Sequence, residues 1–514
     1  MKKFTVLVVL ALLAATGTSY AVTCSTDNVP GATLLVPYFN VSGPATGNIP
    51  PGGVDTLVAI TNVSLWGAIA HVTIWNKQSA AVLDFNVPMT GYDVAFFSMR
   101  DVLNGNLNVN PNTQKLSSTG VDPCRVATNI GDTQPKFIRF QHPQWADPAL
   151  PGTDYFDSIG FYATPAFGTT FRNKILDSLD EAPVYKNIST RPTDDDDNPA
   201  CGVASDGVFT SSFTGYITID VVNYCTNWFP NQADFYQYEA IATRGWDGNG
   251  GPNVLMGDVF FVDASASGNI SGESAVSLEF DVRLESTTGD AWGGSMNKTF
   301  YGRYGVDSAS GAIIDTTNLP PGATATRFAF FGDGREPLGS VYGFRYLSDT
   351  ANGLQTWATI WRSDVWDADD SSLTQDPDFA SDICDITYNG RQITVSTWDN
   401  DENQNRQTGG GPSGDTPISN KTNVWWETNR ISLLENADMN PAGYKGGWTR
   451  FTFNRNYDAR YHQAYVSIEH TAPGAFVSVG HGATLLDNQF LCPFGYPFTD
   501  PGNLGYGIWA GPAE

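Results

Sequence analysis

Apolar and polar residues alternate over short runs along most of this chain, and each run closes at turn-forming residues. The clearest run is "AVSLEFDVRLES", where Val276, Leu278, Phe280, Val282 and Leu284 fall on one side and Ser277, Glu279, Asp281, Arg283 and Glu285 on the other. A period of two predicts a single half-buried antiparallel strand there. Comparable runs start at Asp55 ("DTLVAITN"), Ala70 ("AHVTIWN"), Val82 ("VLDFNV"), Asp93 ("DVAFFSM"), Gly215 ("GYITIDVV") and Trp448 ("WTRFTFN"). In "DITYNGRQITVSTW", Asn389-Gly390 stands between two strand-like arms, which is the hairpin signal of a tight turn needing positive φ. Helical spacing is convincing only in "FRNKILDSLDE", Phe171 to Glu181.

Strands that follow one another without intervening helices predict a mainly β protein of two or more antiparallel β-sandwich domains, immunoglobulin-like or jelly-roll-like, with long loops. Short strands and long loops do not suit a closed outer-membrane barrel. The acidic residues agree: 43 are Asp and 11 are Glu, and no Glu precedes Glu181. Aspartate favours turns and glutamate favours helices.

Domain borders are read from the breaks. Lys2 and Lys3, an apolar run from Val6 to Ala15 and the small residues up to Ala21 make residues 1–21 a secretory signal peptide. Residues 22–190 are expected to form an N-terminal sandwich domain. Residues 191–207, around "TDDDDN" (Thr193 to Asn198), read as an acidic linker or loop, since adjacent aspartates repel and leave nothing to pack. Residues 208–514 then hold a C-terminal β-rich region with room for two packed domains. A second acidic stretch runs from Asp367 to Asp382. No run reaches the roughly 20 apolar residues of a spanning helix.

Charge and cysteines place the protein further. The net charge is −26, and loss of Lys2 and Lys3 with the leader makes it two more negative. Such a chain repels phosphate backbones, so nucleic acid is not an expected partner. Cys24, Cys124, Cys201, Cys225, Cys384 and Cys492 are an even set in an exported chain, and up to three disulfides are expected, with the pairing open.

The segments "GATLLVPYFNV", "TLVAITNVSLWGAIAHVTIWN", "VLDFNVPMTGYDVAFFSMRDVL", "GYITIDVVNYC" and "NVLMGDVFFVD" resemble a group of uncharacterised secreted proteins of environmental Gram-negative bacteria. The likeness covers about half of the chain, in whole strands. It implies export and a bacterial source and brings no activity and no site residues.

Candidate chemistry is sparse. There is no G-x-S-x-G elbow, H-E-x-x-H helix or phosphate-binding glycine pattern. His462, His470 and His481 are near in sequence, yet their spacing fits single strand positions better than a zinc set. Glycoside hydrolysis needs only two carboxylates, and Glu279, Glu285, Glu427 and Glu469 are candidates. Trp361, Trp366, Trp398 and the pair Trp425-Trp426 lie near polar loops, where a ring could stack on a sugar; neighbours on a strand point to opposite faces, so one of Trp425 and Trp426 is the candidate glycan platform. In "STWDNDENQNRQTGGGPSGD", Asp399, Asp401, Asn403 and Asn405 place oxygens at alternate positions, as the first ligands of a calcium loop do. Gln404 and Gly410 depart from that pattern where a sharp-turn glycine and a bidentate carboxylate belong.

The reading that follows is a secreted or cell-surface structural or adhesive β-protein without catalysis, with calcium as its one candidate cofactor. Extracellular glycan and further copies of the chain are its candidate partners. The alternatives are a carbohydrate-binding protein using Trp425 or Trp426, or a polysaccharide-degrading enzyme with an unrecognised carboxylate pair.

Overall fold

Strand follows strand in the computed structural model, which describes residues 29–44, 48–65, 68–77, 81–89, 91–104, 139–140, 175–176, 179, 197–198, 203–204, 212–222, 253–264, 269–286, 300–301, 304–307, 313–315, 328–330, 332–336, 338–347, 349, 353–362, 391–399, 418–424, 427–433, 445–453, 463–472 and 479–487. From the N-terminus come β1 (Thr33–Ser42), β2 (Val54–Asn62), β3 (Ala68–Trp75), β4 (Ala81–Met89), β5 (Val94–Ser98) and a short helix α1 (Met99–Leu103). Next are β6 (Arg139–Phe140), β7 (Asp197–Asn198), β8 (Val203–Ala204), β9 (Ser212–Val222), β10 (Leu255–Asp263), β11 (Asn269–Ser274) and β12 (Val276–Leu278). Then come β13 (Phe280–Ser286), β14 (Tyr304–Asp307), β15 (Ile313–Asp315), β16 (Phe328–Phe330), β17 (Gly332–Arg335), β18 (Val341–Leu347) and β19 (Gln355–Arg362). The series ends with β20 (Arg391–Asp399), β21 (Ile418–Val424), β22 (Thr428–Ser432), β23 (Gly446–Thr452), β24 (Ala464–Thr471), β25 (Val479–Gly482) and β26 (Thr484–Asp487). The molecule is mainly β, and among the described residues its sheets are antiparallel and none closes on itself. Among the described residues no helix is long and apolar enough to cross a membrane.

A six-stranded sheet, β12-β1-β9-β3-β4-β6, is the middle of the structure. Leu34 and Val36 of β1, Val72 and Ile74 of β3, and Ile217 and Ile219 of β9 share a buried cluster with Val58 and Ile60 of β2, Val259 of β10 and Phe97 of β5. Those last strands belong to a four-stranded sheet, β11-β10-β2-β5. The other face is buried too: Leu35, Trp75, Tyr216, Val276 and Leu278 join a second cluster with Tyr342, Ile360, Val395, Phe451 and Val466. Burial on both sides explains why "TLLVPYF" and "AIAHVTIW" read as near-continuous apolar runs, with every residue of β3 buried. The second cluster lies among a five-stranded sheet, β21-β20-β23-β18-β26, and a four-stranded one, β22-β19-β24-β25.

The strand expectations at Asp55, Ala70, Val82, Asp93, Gly215 and Trp448 correspond to β2, β3, β4, β5, β9 and β23. Of the hairpin, β20 is its second arm; the first arm and Asn389-Gly390 lie outside the described residues, as does the stretch from Asp367 to Asp382. Within the expected helix, the described residues Ile175, Leu176 and Leu179 are helical and enter the first cluster. Two expectations need correction. "AVSLEFDVRLES" is two strands, because Leu278 O accepts from Ala32 N–H beside β1, whereas Glu279 O accepts from Glu336 N–H at 2.9 Å and Asn253 Oδ1 accepts from Phe280 N–H at 2.7 Å. The chain is thus handed from β1 to β17 at Glu279. The border at 191–207 does not divide the sheets between an N-terminal and a C-terminal unit, since β9 inserts between β1 and β3, and β10 pairs with β2. Within that acidic stretch β7 pairs with β8.

Candidate functional site

The two faces of β20, β23 and β18 differ in chemistry. Val395, Phe451, Tyr342 and Phe344 point into the second cluster. Alternation along each strand sends Trp398, Trp448, Arg450 and Arg345 to the opposite face. Register then groups them, because Trp448 is directly across from Trp398 on one side and from Arg345 on the other. The two indoles stack face to face, with ring centroids 3.8 Å apart and planes 1° from parallel. Trp448 is 37% exposed.

The Arg450 guanidinium lies 5.8 Å from the Trp398 ring centroid, and its Nε is enclosed with no hydrogen-bond partner among the described residues. Arg345 is exposed. Neither arginine has an ion pair with a described carboxylate. At the rim, Lys445 and Asp349 pair at 3.5 Å. Leu486 of β26 covers Gly343, where a Cβ would sit 2.7 Å from its Cδ1. Exposed Leu347 completes the surface. The result is an aromatic ridge between two cations that stand without counter-ions among the described residues, on a chain whose net charge is −26.

A second cluster of charges sits where β11 meets β24 and β22. Glu469 of β24 forms an ion pair with Arg430 of β22, whose guanidinium lies over Tyr38, Phe261 and Trp357 at 5.8, 5.8 and 5.2 Å. Glu273 of β11 faces them and bonds to Ser467, with one carboxylate oxygen enclosed and unbonded among the described residues. Burial lifts its carboxyl to about 7, with the Glu469 charge adding to the rise and Ser467 and Arg430 opposing it. Burial likewise lifts the Tyr465 phenol, helped by Glu273 and Tyr342.

The residues singled out from sequence have mixed positions. Asp399 ends β20 opposite Gly447, while Asp401, Asn403 and Asn405 lie outside the described residues. Trp366, Trp425, Trp426, His462 and all six cysteines lie outside them as well. Trp361 is a core residue, 5.2 Å from Phe300 in a stacked pair. The candidate carboxylates are scattered: Glu427 is buried and accepts from Tyr216 OH at 3.2 Å, Glu279 sits at the β12–β13 break, Glu285 lies opposite Asp333 in the register of β13 with β17, and Glu469 faces Glu273. His470 Nδ1 is 3.0 Å from Thr356 Oγ1, and His481 lies opposite Ile468. Among the described residues no group of three or more His, Cys, Asp or Glu is placed to hold a metal.

Trp448, Arg345, Arg450 and Glu273 escaped the sequence reading. The outward parity of Trp448 and Arg450 in "WTRFTFN" was visible, but their neighbours across the sheet were not. Comparison with protein-family models, curated proteins and solved structures gave no match.

Proposed function

We propose that this is an exported cell-surface or matrix protein whose facing sheets pack as β-sandwiches, and that it adheres to extracellular polysaccharide through the Trp398/Trp448 face. The observation that carries the proposal is the open indole pair flanked by two arginines without ion pairs among the described residues. Indole surface suits the apolar side of a sugar ring. Guanidinium groups bind carboxylate in a bidentate way, which favours acid-bearing glycans such as uronate polymers. The reading replaces Trp425 and Trp426 with Trp398 and Trp448 as the platform and needs no catalysis.

Calcium belongs to the same proposal. Asp399 follows Trp398 directly, so an ion held by Asp399, Asp401, Asn403 and Asn405 would tie the following loop to the rim of the face. Thermal unfolding with EDTA and with millimolar calcium tests the ion site. A ligand at 100 times its Kd adds about 2.7 kcal/mol, and Asp399→Ala/Asp401→Ala removes the shift.

Affinity electrophoresis through gels holding neutral or acidic polysaccharides tests the platform. We expect retardation that Trp448→Ala abolishes. Free migration in every gel, or equal retardation of the variant, would overturn it.

A further inference from the structure

The sheet β11-β10-β2-β5 has two edges of different character. At one, β11 is closed off by β25: a Cβ at Gly480 would lie 2.9 Å from the Gly272 carbonyl oxygen. At the other, β5 has β2 as its sole sheet neighbour among the described residues.

Hydrogen-bond parity says which groups of β5 point away. Asn62 N–H donates to Asp93 O at 2.9 Å, and antiparallel alternation therefore turns Ala95 and Phe97 toward β2. Val94, Phe96 and Ser98 direct their backbone groups off the sheet. Two of those groups are already used. Asp93 Oδ1 accepts the Val94 N–H at 2.8 Å, and Ser98 is the N-cap of α1, so its carbonyl turns into the helix. What remains is the N–H and C=O of Phe96, the N–H of Ser98 and the C=O of Val94.

That remainder is self-complementary, and we infer that β5 is a pairing edge for a second copy of this chain, joined antiparallel about Phe96. In this register the two Phe96 residues exchange both of their backbone bonds. Each Ser98 N–H meets the Val94 carbonyl of the second copy. No outward group is left over, and the two Phe96 rings stand opposite each other as a cross-strand aromatic pair.

The side chains agree with this occupant. Val94 and Phe96 are 55% and 65% exposed, and the strand VAFFS has no charge, proline or bulge of the kind that blocks edges. On the same face Leu57 stands across from exposed Phe260, and Val262 across from exposed Ile270. Two copies would make one eight-stranded sheet whose outer face carries Phe96, Leu57, Phe260, Val262 and Ile270, interrupted by exposed Asp258. Pairing through a strand of this length buries less than the roughly 800 Å² per partner of a standard interface, so the union is weak and depends on concentration. The net charge of −26 on each copy opposes it, and salt screens that repulsion.

Sedimentation velocity of the full chain, from micromolar to near-millimolar and at low and high salt, tests the inference. The expected result is a dimer fraction that grows with concentration and rises several-fold with salt. Phe96→Lys abolishes it and Phe96→Thr weakens it. Both variants keep the thermal midpoint of the parent, because Phe96 is an outward residue. The inference is overturned by a monomer under all conditions, by association that weakens with salt, or by a dimer that survives Phe96→Lys.

Discussion

Among the places where arginine meets aromatic rings in this molecule, two have opposite outcomes. At the joint between the six-stranded sheet and β17, Arg335 is buried and answered. Its Nη2 lies 2.9 Å from Asp220 Oδ1, its Nε donates to Thr33 Oγ1 and to Asp220, Tyr301 OH donates to Asp220 Oδ2 at 3.1 Å, and the Tyr301 ring lies 5.0 Å away. On the face of β18, β20 and β23, Arg345 and Arg450 stand beside Trp398 and Trp448 without carboxylate partners among the described residues. The buried cation is held by the fold, and its removal is a stability event. Exposed Arg345 leaves its hydrogen-bonding capacity for something outside the fold, and Arg450 is partly enclosed, with its Nε unbonded among the described residues.

Substitution at the joint should produce the largest effect. Asp220→Ala strands a buried guanidinium and should cost about 3–5 kcal/mol in urea unfolding. An Asp220→Leu/Arg335→Met double variant should recover much of that, because it removes both charges. A double variant as unstable as the single one would mean that Thr33 and Tyr301 also depend on the pair.

The Glu273 junction sharpens the contrast through pH. A carboxyl lifted from 4.5 to about 7 keeps its proton in the folded state at pH values where the unfolded chain has released it. Its contribution is therefore greatest below about pH 4.5 and is lost as pH rises through 7. Glu273 is partly exposed as a residue, so solvent reduces the effect to at most about 3 kcal/mol between pH 5 and pH 8. Glu273→Gln should flatten the stability profile over that range, and an unchanged slope would assign it to other groups.

On the open face the expected losses of stability shrink. Trp448→Ala removes a stacked cross-strand pair and should cost about 1 kcal/mol while abolishing polysaccharide retardation. Arg345→Gln should stay within about 0.5 kcal/mol of the parent and still weaken retention by acidic gels. If Arg345→Gln destabilised the protein as Asp220→Ala does, the distinction between the two arginine sites would fail.

Much of the strand inventory was legible because alternation is a local property. β2, β5, β9 and β23 could be read from seven or eight residues each. The break at Glu279 was not legible, since the hydrophobic period continues through it and only the change of partner from β1 to β17 stops the strand. The border at 191–207 misled for a related reason. An acidic, turn-rich stretch marks an exposed connection, and β9 beyond it returns to pair with β1 across some 180 residues. Of the candidate sites, Trp398 was recognisable as a tryptophan near polar residues, while Trp361 looked equivalent and is core.

Composition and periodicity alone determined that this is a mainly β, strongly acidic chain. Tertiary structure decided which side of each strand meets solvent. A period of two separates the faces of a strand without saying what covers either one. That is set by sheet order and register, which join Arg345 to Trp448, Glu273 to Glu469 and Arg335 to Asp220 through pairings far apart in sequence. The same physics hides an open edge: β5 reads as an ordinary amphipathic strand, and only the absence of a second described neighbour beside it leaves the backbone groups of Phe96 as a point of contact.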